Sequence, residues 1–192
     1  RCVDGIAIIC TDPNDKETLE LIESDFPIVV IDMFNKNTST VTSDNEQGCS
    51  LALNYLYKLG HRKIAHIQGV AQADNWPSSI RKKTYIEVMK KLNLDIPEGY
   101  IVDGVNFDVS GGYDAMKELL SLKDRPTAVF ASGDKLAIGA IDAIKDAGLR
   151  VPEDISVIGF DNIEIAKYVT PKLTTIRQNC QEIGKAAVDI LI

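Results

Sequence analysis

The stretch PTAVFASGDKLAIGAIDAIKDAGLRVPEDISVIGFD, residues 126–161, reads as strand, helix, strand, and each strand runs into an aspartate. The first apolar run, 127–132, is followed by Gly133 and Asp134, and the second, 155–160, by Asp161. Between them Ala137, Ala140, Ile141, Ile144 and Ala147 recur at helical spacing, and Gly148 ends the helix. A crossover of this kind is right-handed and makes its two strands parallel. Both carboxylates then stand at the edge where the strand C-termini open, which is where open α/β sheets bind their ligands. Two acids there, with no metal-ligand cluster around them, point to recognition of a polar small molecule more than to chemistry.

The same alternation extends in both directions. Strands are expected at 3–10, 27–32, 40–43, 63–69, 100–103 and 173–178, and helices at about 14–25, 44–59, 78–94, from Ser110, and from near Gln181. Asp44 is placed to cap its helix, with Gln47 three residues on, and Ser110 is expected to cap the helix that carries Tyr113, Met116, Leu119 and Leu120. Strands alternating with helices give an α/β fold of parallel sheets with helices on both faces. From Lys63 onward four well-formed strands suffice for a complete lobe, whereas the first strands are too few to close a sheet alone.

With 192 residues, 45% hydrophobic and 26% charged, the chain has the composition of an ordinary globular protein long enough for a real core. No apolar run is long enough to cross a membrane. The net charge of −7, with no basic cluster denser than 61–63 or 81–83, makes the chain a poor direct binder of DNA. Cys2, Cys10, Cys49 and Cys180 lack metal-ligand spacing and read as reduced core thiols, three of them in apolar patterns, which fits a cytoplasmic protein. The chain opens on Arg1 just ahead of a strand and stops at Ile192 inside a helix, the pattern expected of a piece of a longer protein.

No nucleotide fingerprint is present: there is no GxGxxG after a strand and no GxxxxGK[ST], and the glycines of 104–112 belong to a loop. Asp134, Lys135 and Asp161 fail as a receiver-type acid pocket, because the lysine directly follows the acid. His61, after a helix-ending glycine where a cation suits the helix dipole, and His66, in mid-strand, read as structural. There is no nucleophile elbow and no plausible Cys–His pair. No catalytic residue, metal or cofactor is therefore expected. Asp134 and Asp161 have a second reading as helix caps, and Asp161 carries the stronger ligand assignment. Arg81, in the first turn of its helix, is poorly placed for the helix dipole and well placed to clamp a polar ligand. Trp76 and Phe107 stand in loops at strand C-terminal ends, where aromatics can stack on a sugar ring or a base.

Several blocks together resemble the lactose-repressor/galactose-repressor (LacI/GalR) family of bacterial transcription regulators: VDGI at 3–6, LGHRKI at 59–64, GLRVPEDISVIGFD at 148–161, and LTTI at 173–176 with Gln178. The fourteen-residue block is highly specific, and the resemblance covers essentially the whole chain. It implies a type I periplasmic-binding-protein-like core with the ligand between two lobes joined by crossovers. Residues 44–179 would form one complete effector-binding lobe, and 1–43 with 180–192 part of the other. Ser43, Asp44 and Asn179 would lie in the hinge, and the helix-turn-helix headpiece would lie outside this chain. The resemblance assigns effector contacts to Asp32, Arg81, Phe107, Asp161 and Gln178, and Trp76, Ser79 and Asp134 are expected beside them as further ligand contacts. Thr84 stands where the family usually has glycine, and Gly133 where it usually has asparagine, which removes an amide donor and acceptor from the usual sugar-hydroxyl pattern.

The implied function is effector-controlled repression. A carbohydrate is the first expectation for the effector and a nucleoside or purine the next, with DNA bound only through the absent headpiece of a homodimer. A sugar-binding protein of a transport or chemotaxis system has the same fold and is the alternative. A Rossmann-like enzyme is disfavoured by the missing glycine fingerprint.

Overall fold

A computed structural model describes residues 3–9, 16–32, 35–70 and 76–192. In chain order the elements are β1 (Ile6–Ile9), α1 (Lys16–Ile22), β2 (Ile28–Ile31), β3 (Ser39–Val41), α2 (Asn45–Lys58), β4 (Ile64–Gly69) and α3 (Pro77–Lys91). They continue with β5 (Ile101–Val105), α4 (Val109–Ser121), β6 (Ala128–Ala131), α5 (Asp134–Asp146), β7 (Ser156–Asp161), β8 (Thr174–Arg177) and α6 (Cys180–Leu191). A short 3₁₀ turn, Glu164–Lys167, lies between β7 and β8.

The chain divides into two compact units, Arg1–Asp44 with Gln72–Pro77 and Asn179–Ile192, and Asn45–Ala71 with Ser78–Gln178. Asp44 and Asn179, placed by sequence in the larger lobe, group with the smaller unit. That unit holds a three-stranded parallel sheet, β1-β2-β3. Ile28 and Val30 of its middle strand pack with Ile22 of α1, while Val29 and Ile31 pack with Ala187 of α6. A strand buried on both faces reads as an unbroken apolar run, as IVVI does.

The second unit is built on a five-stranded parallel sheet in the order β5-β4-β6-β7-β8. Alternate residues of each strand go to opposite faces. Ile64, Ala128, Phe130, Ile158 and Phe160 pack against Cys49, Leu53 and Leu56 of α2 and Tyr85 and Met89 of α3. Ala65, Ile67, Val129, Ala131 and Val157 pack against Met116 and Leu119 of α4 and Leu136, Ala140 and Ile144 of α5. These two layers hold all the central strand ends at one edge in fixed register.

Three local expectations change. The cap of α4 is Asp108, not Ser110: its carboxylate accepts from Gly111 N at 2.7 Å. Cys180 is exposed at the start of α6, whereas Cys49 is fully buried. His61 is held by side-chain partners in place of the helix dipole. Its ring nitrogens bond Thr127 Oγ1 and Ser156 Oγ, both at 3.0 Å, and burial holds its pKa below the ordinary value.

Candidate functional site

Four of the residues assigned by sequence to ligand contact come together at the C-terminal edge of the five-stranded sheet. Arg81 projects from the second turn of α3, which begins at Pro77, and only 4% of it is exposed. Its Nε donates to Asn45 Oδ1 at 2.8 Å and its Nη1 to the carbonyl oxygen of Ser132. Its guanidinium carbon lies 3.6 Å from the centroid of the Phe160 ring. Nη2 is turned toward Asp161, 3.8 Å from Oδ1. The helix position that looked unfavourable for a cation is offset by these partners.

Asp161 ends β7 with φ of 113° and is followed by Asn162 at φ 57°. Non-glycine residues held at positive φ store strain that the surrounding structure must impose, and such residues cluster at binding sites. The Asp161 carboxylate accepts from Gln178 Nε2 at 2.5 Å, just after β8. Its side chain keeps 24% of its surface exposed. No helix starts at Asp161, so it is not a cap.

Phe107, in the loop between β5 and α4, completes the group. Its ring lies against the end of β4 and the turn between β6 and α5, where a β-carbon on Gly69 or Gly133 would overlap it. A β-carbon on Gly133 would also come 3.3 Å from Asp161 Oδ2. Gly133 thus admits an aromatic plate beside a carboxylate, where asparagine would present an amide. Phe107 remains 41% exposed, leaving a ring surface for contact.

Asp134 plays a different part. It is the first residue of α5, whose N-cap Gly133 makes no side-chain cap bond, so the capping role is not realised. Its carboxylate is fully buried and reaches across the sheet edge, accepting from Ile163 N at 2.8 Å and from Thr175 Oγ1 at 2.5 Å. Burial raises its pKa, opposed by these hydrogen bonds. The carboxylate pins the Asp161–Asn162 turn to β8 and lies behind the exposed cluster.

Ser79 lies two residues before Arg81 on α3 and is partly buried. Asp32 and Trp76 belong to the smaller unit. Asp32 ends β2 at φ 60° and accepts from Thr42 Oγ1 at 3.3 Å, and Trp76 is half-buried just ahead of α3. The chain passes between the units at Asp44–Asn45, on either side of Gln72–Pro77, and at Gln178–Asn179. Sequence reasoning missed Asn45, Ser132, Phe160 and Thr175. Periodicity marks Phe160 only as core, and the one visible signal for Asn45 was a polar residue opening a helix directly after its cap.

Among the described residues no group of three or more His, Cys, Asp or Glu could hold a metal ion, and no helix is long and apolar enough to cross a membrane. His66 lies under the cluster, fully buried and stacked between Tyr85 and Phe130, with Nδ1 2.9 Å from the carbonyl oxygen of Phe130. Burial lowers its pKa to about 4. Burial likewise pushes the Cys49 thiol up to about 12, so it stays protonated. The arrangement offers a fixed cation, an acid, an amide and a ring face: a set for recognition, with no activated nucleophile.

Residues 53–192 match the model of the periplasmic binding protein-like domain. The chain is 40% identical over 194 residues to the ribose operon repressor of Escherichia coli K12, covering 99% of this chain and 58% of that protein. It is 39% identical over 195 residues to the HTH-type transcriptional repressor PurR of Klebsiella pneumoniae, covering 99% and 56%. The chain therefore spans less than two thirds of the length of these curated relatives. Among solved structures it is similar to a LacI-family regulatory protein from Chloroflexus aggregans (TM-score 0.87, 30% identity, 98% of this chain and 68% of that one). It is also similar to a LacI-family regulator from Enterococcus faecium solved with bound ribose (TM-score 0.80, 31% identity, 98% and 70%). On these matches the chain belongs to the LacI family of transcriptional regulators, and its residues 53–192 match the periplasmic-binding-protein-like domain.

Proposed function

We propose that the chain is the effector-binding core of a LacI-family repressor, and that a small carbohydrate of the pentose class is its effector. The observation that carries this is the juxtaposition of Arg81, Asp161 and Gln178 beside the exposed Phe107 ring at one strand-end edge. A guanidinium donor and a carboxylate acceptor held this close discriminate vicinal hydroxyls, and an aromatic face packs on the apolar face of a sugar ring. Supporting the pentose class, one relative is named a ribose operon repressor and one similar structure holds ribose. A nucleoside is the second reading, favoured by Gly133: the open backbone lets Phe107 present a flat plate to a base where a side-chain amide would otherwise stand.

The function is binding without turnover. In the full-length protein, a cytoplasmic homodimer in this reading, a helix-turn-helix headpiece carries the DNA contacts. Effector occupancy shifts operator affinity only by its differential affinity for the two conformational states. The coupling is reciprocal, so operator DNA changes effector affinity by the same factor. A thermal-shift screen of pentoses, hexoses and nucleosides tests the assignment. A rise in melting temperature with D-ribose or a ribonucleoside, and a matching change in operator affinity of the full-length protein, are expected. Stabilisation by none of the panel would overturn it.

A further inference from the structure

We propose that Asn45 is a positioning residue that sets the orientation of the Arg81 guanidinium toward the effector. The inference rests on the effector-site reading above and adds a residue to it. Asn45 is the first residue of α2, 3% exposed, at the point where the chain enters the larger unit after Asp44. Its side-chain oxygen accepts the Nε–H of Arg81 in a buried bond of 2.8 Å.

That bond fixes one edge of a planar group. The carbonyl oxygen of Ser132 takes Nη1, the Phe160 ring covers one face, and Nη2 is then aimed toward Asp161. The fork geometry of a guanidinium makes these choices interdependent: holding Nε and Nη1 leaves Nη2 a single direction. The first two turns of α2 build the socket twice over. Gly48, three residues after Asn45, gives the Phe160 ring its place, since a β-carbon there would come 2.7 Å from Cε2. Cys49 donates its thiol to the Arg81 carbonyl oxygen at 3.3 Å and ties α3 to α2.

Without the Asn45 oxygen, the Nε–H of a buried cation loses that acceptor, and the guanidinium can turn on its remaining partners to engage Asp161 through two nitrogens. Such a pair would occupy the donors and the acceptor that the effector needs. Asparagine suits the task better than a carboxylate for affinity, because it accepts without neutralising Arg81. Aspartate still preserves the acceptor, and a negative charge is favourable in the first turn of a helix.

The test uses the 192-residue chain with the variants Asn45→Ala and Asn45→Asp and two readouts. Hydrogen exchange of the Arg81 Nε–H, followed by NMR, should accelerate about tenfold in Asn45→Ala and stay protected in Asn45→Asp, while the backbone amides of α2 keep their wild-type rates. Affinity for D-ribose should fall about tenfold in Asn45→Ala and stay within about threefold of wild type in Asn45→Asp. On an Arg81→Lys background, which lacks the Nε–H fork, Asn45→Ala should cause no further loss, and this double-mutant cycle separates positioning from general loosening. Unchanged Arg81 exchange in Asn45→Ala overturns the proposal, as does lost protection with unchanged ribose affinity, or an additive cycle. If the wild-type chain takes up no D-ribose, the pentose reading fails instead, and the exchange result alone decides whether Asn45 holds Arg81.

Discussion

His66 shows how a single buried side chain makes the fold sensitive to acid. Packed between two rings and bonded through Nδ1 to the Phe130 carbonyl, it is held neutral, with its pKa lowered to about 4. The unfolded chain, with a histidine pKa of about 6.5, takes up a proton over that interval that the native state does not. Stability from this group is therefore fully present above about pH 6.5 and is lost as the pH falls toward 4. Between pH 7 and pH 5 the loss should be about 2 kcal/mol. Urea unfolding at the two pH values should show it, and His66→Gln should remove most of the difference; an identical pH dependence in that variant would show the burial argument to be wrong. His61, also lowered, acts with the same sign. At the strand ends, Gly133→Asn should dislodge the Phe107 ring and change the order of preference between sugars and nucleosides. Ligand competition on that variant checks this, and an unaltered preference would deny Gly133 any part in specificity.

At the scale of elements, the strand–helix rhythm was legible because the central strands of the larger unit, β4, β6 and β7, are buried on both faces and so read as short apolar runs. The crossover at 126–161 gave parallel strands and therefore a common edge for Asp134 and Asp161. What did not show in the sequence depended on partners far along the chain. Asp134 resembled a cap because it follows a glycine at a helix start, yet its oxygens go to Ile163 and Thr175, 29 and 41 residues away. Asn45 and Ser132 are invisible to periodicity for the same reason: what they do is set by Arg81, which arrives from another helix. The cap of α4 was misplaced by two residues, since Asp108 and Ser110 are both competent and only backbone geometry distinguishes them. Asp108→Ala should destabilise the larger unit by about 1 kcal/mol, a fall in melting temperature of roughly 3 °C. Calorimetry of that variant beside Ser110→Ala, expected to be near neutral, checks the assignment, and the opposite order would reinstate Ser110.

For the molecule as a whole, the polar cluster at the sheet edge of this LacI-family domain is the proposed effector site. The net charge of −7, with no basic cluster denser than 61–63 or 81–83, disfavours direct DNA contact by these residues. In a mobility-shift assay at physiological salt the 192-residue chain alone should therefore not retain operator DNA, and tight, sequence-specific retention would contradict the charge argument. Isothermal titration calorimetry of D-ribose against the wild-type chain, Arg81→Ala and Asp161→Ala is the decisive measurement of the proposed effector site. Saturable binding to the wild type is expected, with a loss of about 100-fold in each variant, roughly 3 kcal/mol, and the far-ultraviolet circular dichroism of a folded α/β protein retained. Wild-type affinity in both folded variants would contradict it.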